Sequence, residues 1–190
     1  MGWQTDLGLS HNKGARAVNF GGLNRTASSE YASYSAHAGV SLARSLTWDA
    51  ATTVTPMLRA DYTWLGSDAY TESGAGALNL QVGAQSTDAL VLGSDLQLTR
   101  SLSARSHVTG TLGLGYDTFN KRNSLVAAYA GAPTQAFTTT AAEPSPWLGR
   151  VGVEYAYAWP RGGSFSLQYE AQVRGALLSQ SAAARAVWQF

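Results

Sequence analysis

Cysteine is absent from these 190 residues. That excludes disulfide staples and thiolate metal sites, and it suits a chain exported unfolded through an oxidising compartment, where mispaired thiols would trap it. No apolar run approaches the 18 or so residues of a membrane-spanning helix, so any membrane crossing must be made by strands. Charge is scarce as well. Charged residues make up 13% of the chain against 45% hydrophobic, a thin ionic surface for a soluble protein but an ordinary one for a protein wrapped in lipid. The formal net charge of +1 offers nucleic acid no electrostatic footing. Also missing are His-Glu-x-x-His, Gly-x-Ser-x-Gly and a phosphate loop. His11, His37 and His107 have no motif spacing, and His37 and His107 fall among polar strand positions. No catalytic, metal or cofactor residue is therefore assigned. The Asn24-Arg25-Thr26 sequon is read as a chance match. Met1-Gly2-Trp3 runs straight into a strand without the basic and apolar regions of a signal peptide, so the expectation is a downstream portion of a longer polypeptide or a start recorded within a longer frame.

What the chain does contain is alternation. Phe165, Leu167, Tyr169, Ala171 and Val173 share one face of a strand, and Ser166, Gln168, Glu170 and Gln172 share the other. The period recurs with Trp147 to Trp159, Val108 to Tyr116, Leu90 to Leu98, Val54 to Trp64, Ala36 to Leu42 and Trp3 to Leu9, and it ends in the run Ala182 to Phe190. That makes about eight strands in a single domain. Arg59, Arg150, Arg174, Arg185, Asp6, Asp61, Asp95, Asp117, Glu154 and Glu170 all fall on the polar faces, and the apolar faces hold no charge. A charge facing lipid at the midplane costs about 2–4 kcal/mol, so this segregation is expected of an antiparallel transmembrane β-barrel whose charges line a wet lumen. Alternation alone fits equally a soluble β-sandwich with its apolar face inward. Three features favour lipid: Trp3, Trp64, Tyr116, Trp147, Tyr157, Trp159 and Trp188 cluster near strand ends like interfacial girdles, alanine and glycine dilute the apolar face, and the chain ends on an aromatic.

Short turns are expected at Ser45 to Asp49, Arg100 to Ser103 and Pro160 to Gly163, and long connections at His11 to Glu30, Thr71 to Asp88 and Asn120 to Pro146, with a final connection at Leu178 to Ser181. Ala128 to Ala142 reads as a mobile loop.

The stretch Pro56 to Tyr62 leading to Tyr70-Thr71-Glu72-Ser73-Gly74, the strand holding Leu92-Gly93, and the closing strand Ala182 to Phe190 together resemble the C-terminal translocator barrel of bacterial autotransporters, the type V secretion family. The resemblance implies residence in the bacterial outer membrane and a twelve-stranded barrel, of which residues 1–190 would be the last eight strands. It also implies a pore helix and an upstream passenger to be exported in cis. Phe190, Trp188 and Ala186, with Ala184, resemble the signal read by the barrel assembly machinery. The lumen-facing charges would either line a polypeptide path or pair to stabilise the wall, and Glu72 has no proton-transfer partner and is given a structural role. A small complete structural or adhesive barrel and a soluble sandwich stay open as alternatives.

Overall fold

The computed structural model describes residues 1–160 and 162–188. In chain order the elements are β1 (Gly2–Phe20), β2 (Leu23–Ala43), β3 (Leu46–Thr47), β4 (Thr52–Ser67), β5 (Tyr70–Thr71), a single 3₁₀ turn (Gly76–Leu78), β6 (Leu80–Val82), β7 (Gln85–Ser103), β8 (Ser106–Asp117), β9 (Ser124–Tyr129), β10 (Phe137–Thr140), β11 (Trp147–Ala158), β12 (Gly163–Arg174) and β13 (Leu177–Trp188). Eight long strands pair in the order β1-β2-β4-β7-β8-β11-β12-β13, every pair antiparallel, with β3 appended to β4. The sheet curls strongly into a half-barrel. A second sheet, β10-β9-β6-β5, is built from the two longest connections.

The alternation sorts side chains in the opposite sense from a soluble protein. Leu112 is 64% exposed, Val153 49% and Leu167 47%, whereas Asp95 is 3% exposed and Asp117 2%. The apolar faces cover the convex side, and Arg59, Asp61, Asp95, Asp117 and Arg150 lie on the concave side. Such a continuous coat of Leu, Val and Trp far exceeds the few hundred Å² of contiguous apolar surface that soluble monomers expose, so the convex face needs a lipid solvent. The sandwich reading, with greasy faces packed together, is contradicted. On β1 the outward side chains Trp3, Leu7 and Leu9 give way to His11 and Lys13. Eight residues at about 3.3 Å each, tilted by about 40°, make an apolar band about 20 Å tall, close to the ~25 Å of membrane barrels. Aromatic pairs mark its two rims: Trp159 and Trp188 stack at 5.6 Å at the end where β1 starts, and Tyr116 meets Trp147 edge-on at 5.0 Å at the other.

Several connections differ from the sequence reading. The expected long loop His11 to Glu30 is strand on both sides of a two-residue turn. β1 and β2 pair without a break from Gly2 with Ser41 to Phe20 with Leu23 and turn at Gly21-Gly22, both with positive φ (55° and 83°), as a two-residue hairpin requires. Above the membrane band both faces of this hairpin carry polar residues, so the hydrophobic alternation that marks a strand disappears there. The segment Ala128 to Ala142 is not a mobile loop: it contains the end of β9 and all of β10, paired Phe137 with Ala127 through Thr140 with Ser124. β7 already begins at Gln85, inside the expected Thr71 to Asp88 connection. It also runs to Ser103, which moves the expected Arg100 to Ser103 turn to Ala104-Arg105. The last connection is a tight turn at Gly175-Ala176, with Gly175 at φ 61°, rather than Leu178 to Ser181. With β7 at this length, Asp88 and Arg100 fall on the convex side, at its two rims. The expected turn Pro160 to Gly163 includes Arg161, which lies outside the described residues.

Candidate functional site

The concave face carries a belt of charged side chains that runs around the wall. On β1, Asp6 Oδ2 meets His37 Nδ1 of β2 at 3.0 Å, and His37 Nε2 lies 3.5 Å from Asp61 Oδ1 of β4. Asp61 also pairs with Arg59, two residues before it on the same face. Arg59 Nε donates to Asp95 Oδ2 of β7 at 3.0 Å, and Arg150 Nη2 of β11 donates to the same oxygen at 2.7 Å. Arg150 Nη1 then approaches Glu170 of β12 at 3.8 Å. The Asp95 side chain is wholly covered and clamped by two guanidiniums, which offsets the several kcal/mol that a lone buried carboxylate would cost. β8 contributes no charge to the belt, and Gly113 occupies the position between Asp95 and Arg150.

A second cluster sits at the end of the wall remote from Gly2. Asp117, at the end of β8, accepts a 2.7 Å bond from Arg174 Nη2 of β12 and contacts from the N–H groups of Leu90, Phe119 and Asn120 at 3.2–3.3 Å. Arg174 Nε donates to the Ser145 carbonyl at 2.7 Å, tying both ends of the 118–146 connection to the rim. Glu154 of β11 shares with Gln168, Gly2 and Gln4 the lining of a cavity of about 520 Å³ on the concave side. Arg185 shares the concave side of β13 with its partner Ser166, exposed, with no ion pair to another described residue.

Beyond the band, the second sheet docks on the same face of the β1–β2 hairpin. Arg16 clasps Glu72 through Nε and Oε1 at 3.0 Å and through Nη2 and Oε2 at 2.5 Å, and Arg16 Nη2 also donates to the Leu78 carbonyl at 2.9 Å. The Leu80 N–H donates to Glu72 Oε2 at 2.8 Å. These bonds, the Arg16 contact first, hold the Glu72 carboxyl below the usual glutamate range despite its burial. Ser28 and Ser73 exchange two backbone hydrogen bonds of 2.8 Å beside it, over a small core of Val18, Ala27 and Ala75. Gly74 has φ 100°, and a β-carbon there would lie 2.4 Å from the Thr26 carbonyl oxygen. The structural role assigned to Glu72 thus has a definite form: it is the acidic half of a clamp between hairpin and cap.

A curled antiparallel sheet with a lipid-suited outside and a charged, self-paired inside is the wall of a membrane barrel. The family model named autotransporter beta-domain matches residues 1–170. The chain belongs to that family. No curated protein matches it. The autotransporter beta-domain is an outer-membrane translocator of the bacterial cell, and its family is not a catalytic one.

Within this β-domain, Arg59, Asp61, Asp95, Arg150 and Glu170 come together in the belt, and Asp117 and Arg174 come together at the rim. Glu154 and Arg185 join neither group. The pairs run along the wall from strand to strand rather than across the bore. Of the terminal residues, Trp188 lies opposite Gly163 and Ala186 opposite Phe165 on β12, while Phe190 lies outside the described residues. Sequence reasoning missed Arg16, the bridging place of His37 and the glycines along the belt. Glycine recurring at polar-face positions was the available signal for the last of these. Among the described residues, no group of three or more His, Cys, Asp or Glu side chains is placed to hold a metal ion.

Proposed function

We propose that this β-domain anchors in the outer membrane as barrel wall and helps export an upstream passenger along its concave face. The observation that carries this reading is the inverted sorting: Leu112, Val153 and Leu167 face outward while Asp95 is buried on the inner wall. Pairing along the wall supports it further, because charges satisfied by their neighbours need not bridge the bore. In this reading the end bearing β1's start and β13's end faces the periplasm, and the hairpin tip and second sheet face the exterior, as expected when short turns lie inside and elaborated loops outside. Among the described residues the outer edges of β1 and β13 have no strand partner. Lipid cannot hydrate unpaired backbone, so those edges call for further strands. Four strands preceding Met1, completing twelve, are the proposed complement. β13, with Ala186 and Trp188 near its end, is the edge offered to the barrel assembly machinery by strand addition, and Phe190 is the residue that completes the signal in the sequence.

Cell fractionation of the natural polypeptide tests this. The chain should partition with outer membranes, and deletion of Phe190 should lower the amount of assembled, heat-modifiable protein. Recovery of the β-domain from the soluble fraction without detergent would refute the reading. Eight long strands are also enough to close a small barrel whose interior is filled by side chains, the alternative structural or adhesive role. That alternative requires residues 1–190 alone to refold in detergent to a heat-modifiable form, and the translocator reading requires that they do so poorly.

A further inference from the structure

At three places where the belt reaches over a neighbouring strand, that strand supplies a glycine. Gly39 lies opposite Asp61, Gly93 opposite Arg59, and Gly113 opposite both Asp95 and Arg150. A β-carbon at Gly113 would stand 1.9 Å from Asp95 Oδ1, one at Gly93 2.8 Å from Arg59 Nε, and one at Gly39 2.6 Å from Asp61 Oδ1. None of these glycines has a positive φ, so the backbone does not demand them, and the space above them is already filled by the charged groups. Gly110 and Gly149, on the convex face of β8 and β11, have nothing within 4 Å of a hypothetical β-carbon. The contrast separates glycines that lodge a side chain from glycines that merely dilute the lipid face. β7 and β11 lie two strand spacings apart, about 10 Å, yet Asp95 and Arg150 meet at 2.7 Å because no side chain of β8 rises between them.

We propose that Gly39, Gly93 and Gly113 are positioning residues, slots in which Asp61, Arg59 and Asp95 lie flat across the next strand so that the charged belt hugs the wall and the bore stays clear. With a side chain in a slot, the charged group has to turn toward the barrel axis, where it obstructs passage and loses its partner. The functional half of this inference rests on the translocator reading, and the packing half does not.

The test is a pair of double-mutant cycles on the natural polypeptide purified from outer membranes, read first by its thermal unfolding midpoint. Gly113→Ala should lower the midpoint by about 3–10 °C in the wild-type background and by less than about 2 °C in Asp95→Ala, where the occupant of the slot is gone. Gly110→Ala and Gly149→Ala, in open space, should each shift it by less than about 2 °C. Asp95→Ala strips two guanidiniums of their partner, so Gly39→Ala against Asp61→Ala, a carboxylate 25% exposed, supplies a second cycle in a milder background. Equal shifts in both backgrounds, or a Gly113→Ala shift no larger than that of Gly110→Ala, would overturn the slots. Conductance in planar bilayers reads the bore: Gly113→Ala should reduce it relative to wild type, and the Asp95→Ala, Gly113→Ala double variant should return to the level of Asp95→Ala alone. Unchanged conductance in Gly113→Ala would overturn the claim that the slots keep the bore clear. A wild-type protein that forms no channel would refute the transport reading itself, a separate failure from that of the slots, which the unfolding cycles read directly.

Discussion

Glu72→Ala removes the acidic half of the clamp between the β1–β2 hairpin and the second sheet. The wild-type carboxylate is 8% exposed in its side chain and receives two bonds from Arg16 and one from the Leu80 N–H. Hydrogen bonds to a charged group contribute about 1.5–3 kcal/mol each, and an N–H left without its acceptor costs about 1 kcal/mol. Arg16 is 37% exposed and regains water when released, so the Arg16 contribution is discounted and the net loss comes to about 2–4 kcal/mol. The core beneath consists of Val18, Ala27 and Ala75 with part of Leu78, too little apolar surface to hold the docking alone. Hydrogen exchange is the direct assay. The N–H groups of Ser28 and Ser73, which bond across the dock, should lose protection by roughly 30- to 700-fold, while the N–H groups of Leu58 and Leu96 in the central strands keep theirs. If Ser28 and Ser73 exchange at the wild-type rate in a folded Glu72→Ala protein, the clamp is not what holds the cap, and the argument from its hydrogen bonds is refuted.

Acid should act on the same joint. The native Glu72 carboxyl titrates below its unfolded value, so its contribution is complete above about pH 5 and is lost as the pH falls below about 4 and through the depressed native value; protease sensitivity of the 68–84 connection should rise over that window and stay flat from pH 6 to 8. Gly74→Ala forces a β-carbon against the Thr26 carbonyl at a backbone conformation that side chains avoid, at a cost of about 1–3 kcal/mol, and should expose the Ser28 and Ser73 amides as Glu72→Ala does. Leu112→Arg puts a charge on the convex face and should destabilise the β-domain by about 2–4 kcal/mol in reversible unfolding from lipid vesicles, whereas Thr111→Arg, on the concave face one residue earlier, should cost less than about 1 kcal/mol. Asp117→Ala orphans Arg174 and three backbone N–H groups, an expected loss of about 3 kcal/mol seen as proteolytic cleavage within residues 118–146.

Period-two alternation by itself determined the strands inside the membrane band, the aromatic rims and the side of the wall that charges such as Arg59, Asp95 and Arg150 occupy, because lipid outside and water inside impose opposite demands on successive residues. Where both sides are wet that contrast vanishes, and the upper halves of β1 and β2 and the strands β9 and β10 could be told from loops only by their pairing. The Gly21-Gly22 pair between Phe20 and Leu23 was a readable turn signal, but it gained force only once polar residues on either side were known to be strand. Which charges meet was decided by tertiary structure alone. Arg16 finds Glu72 56 residues away, and Asp95 reaches Arg150 because two successive registers set Gly113 between them. Alternation specifies the face a side chain occupies, but its height along the wall depends on the registers of every strand between, and a shift of two residues would preserve the pattern while breaking the whole belt.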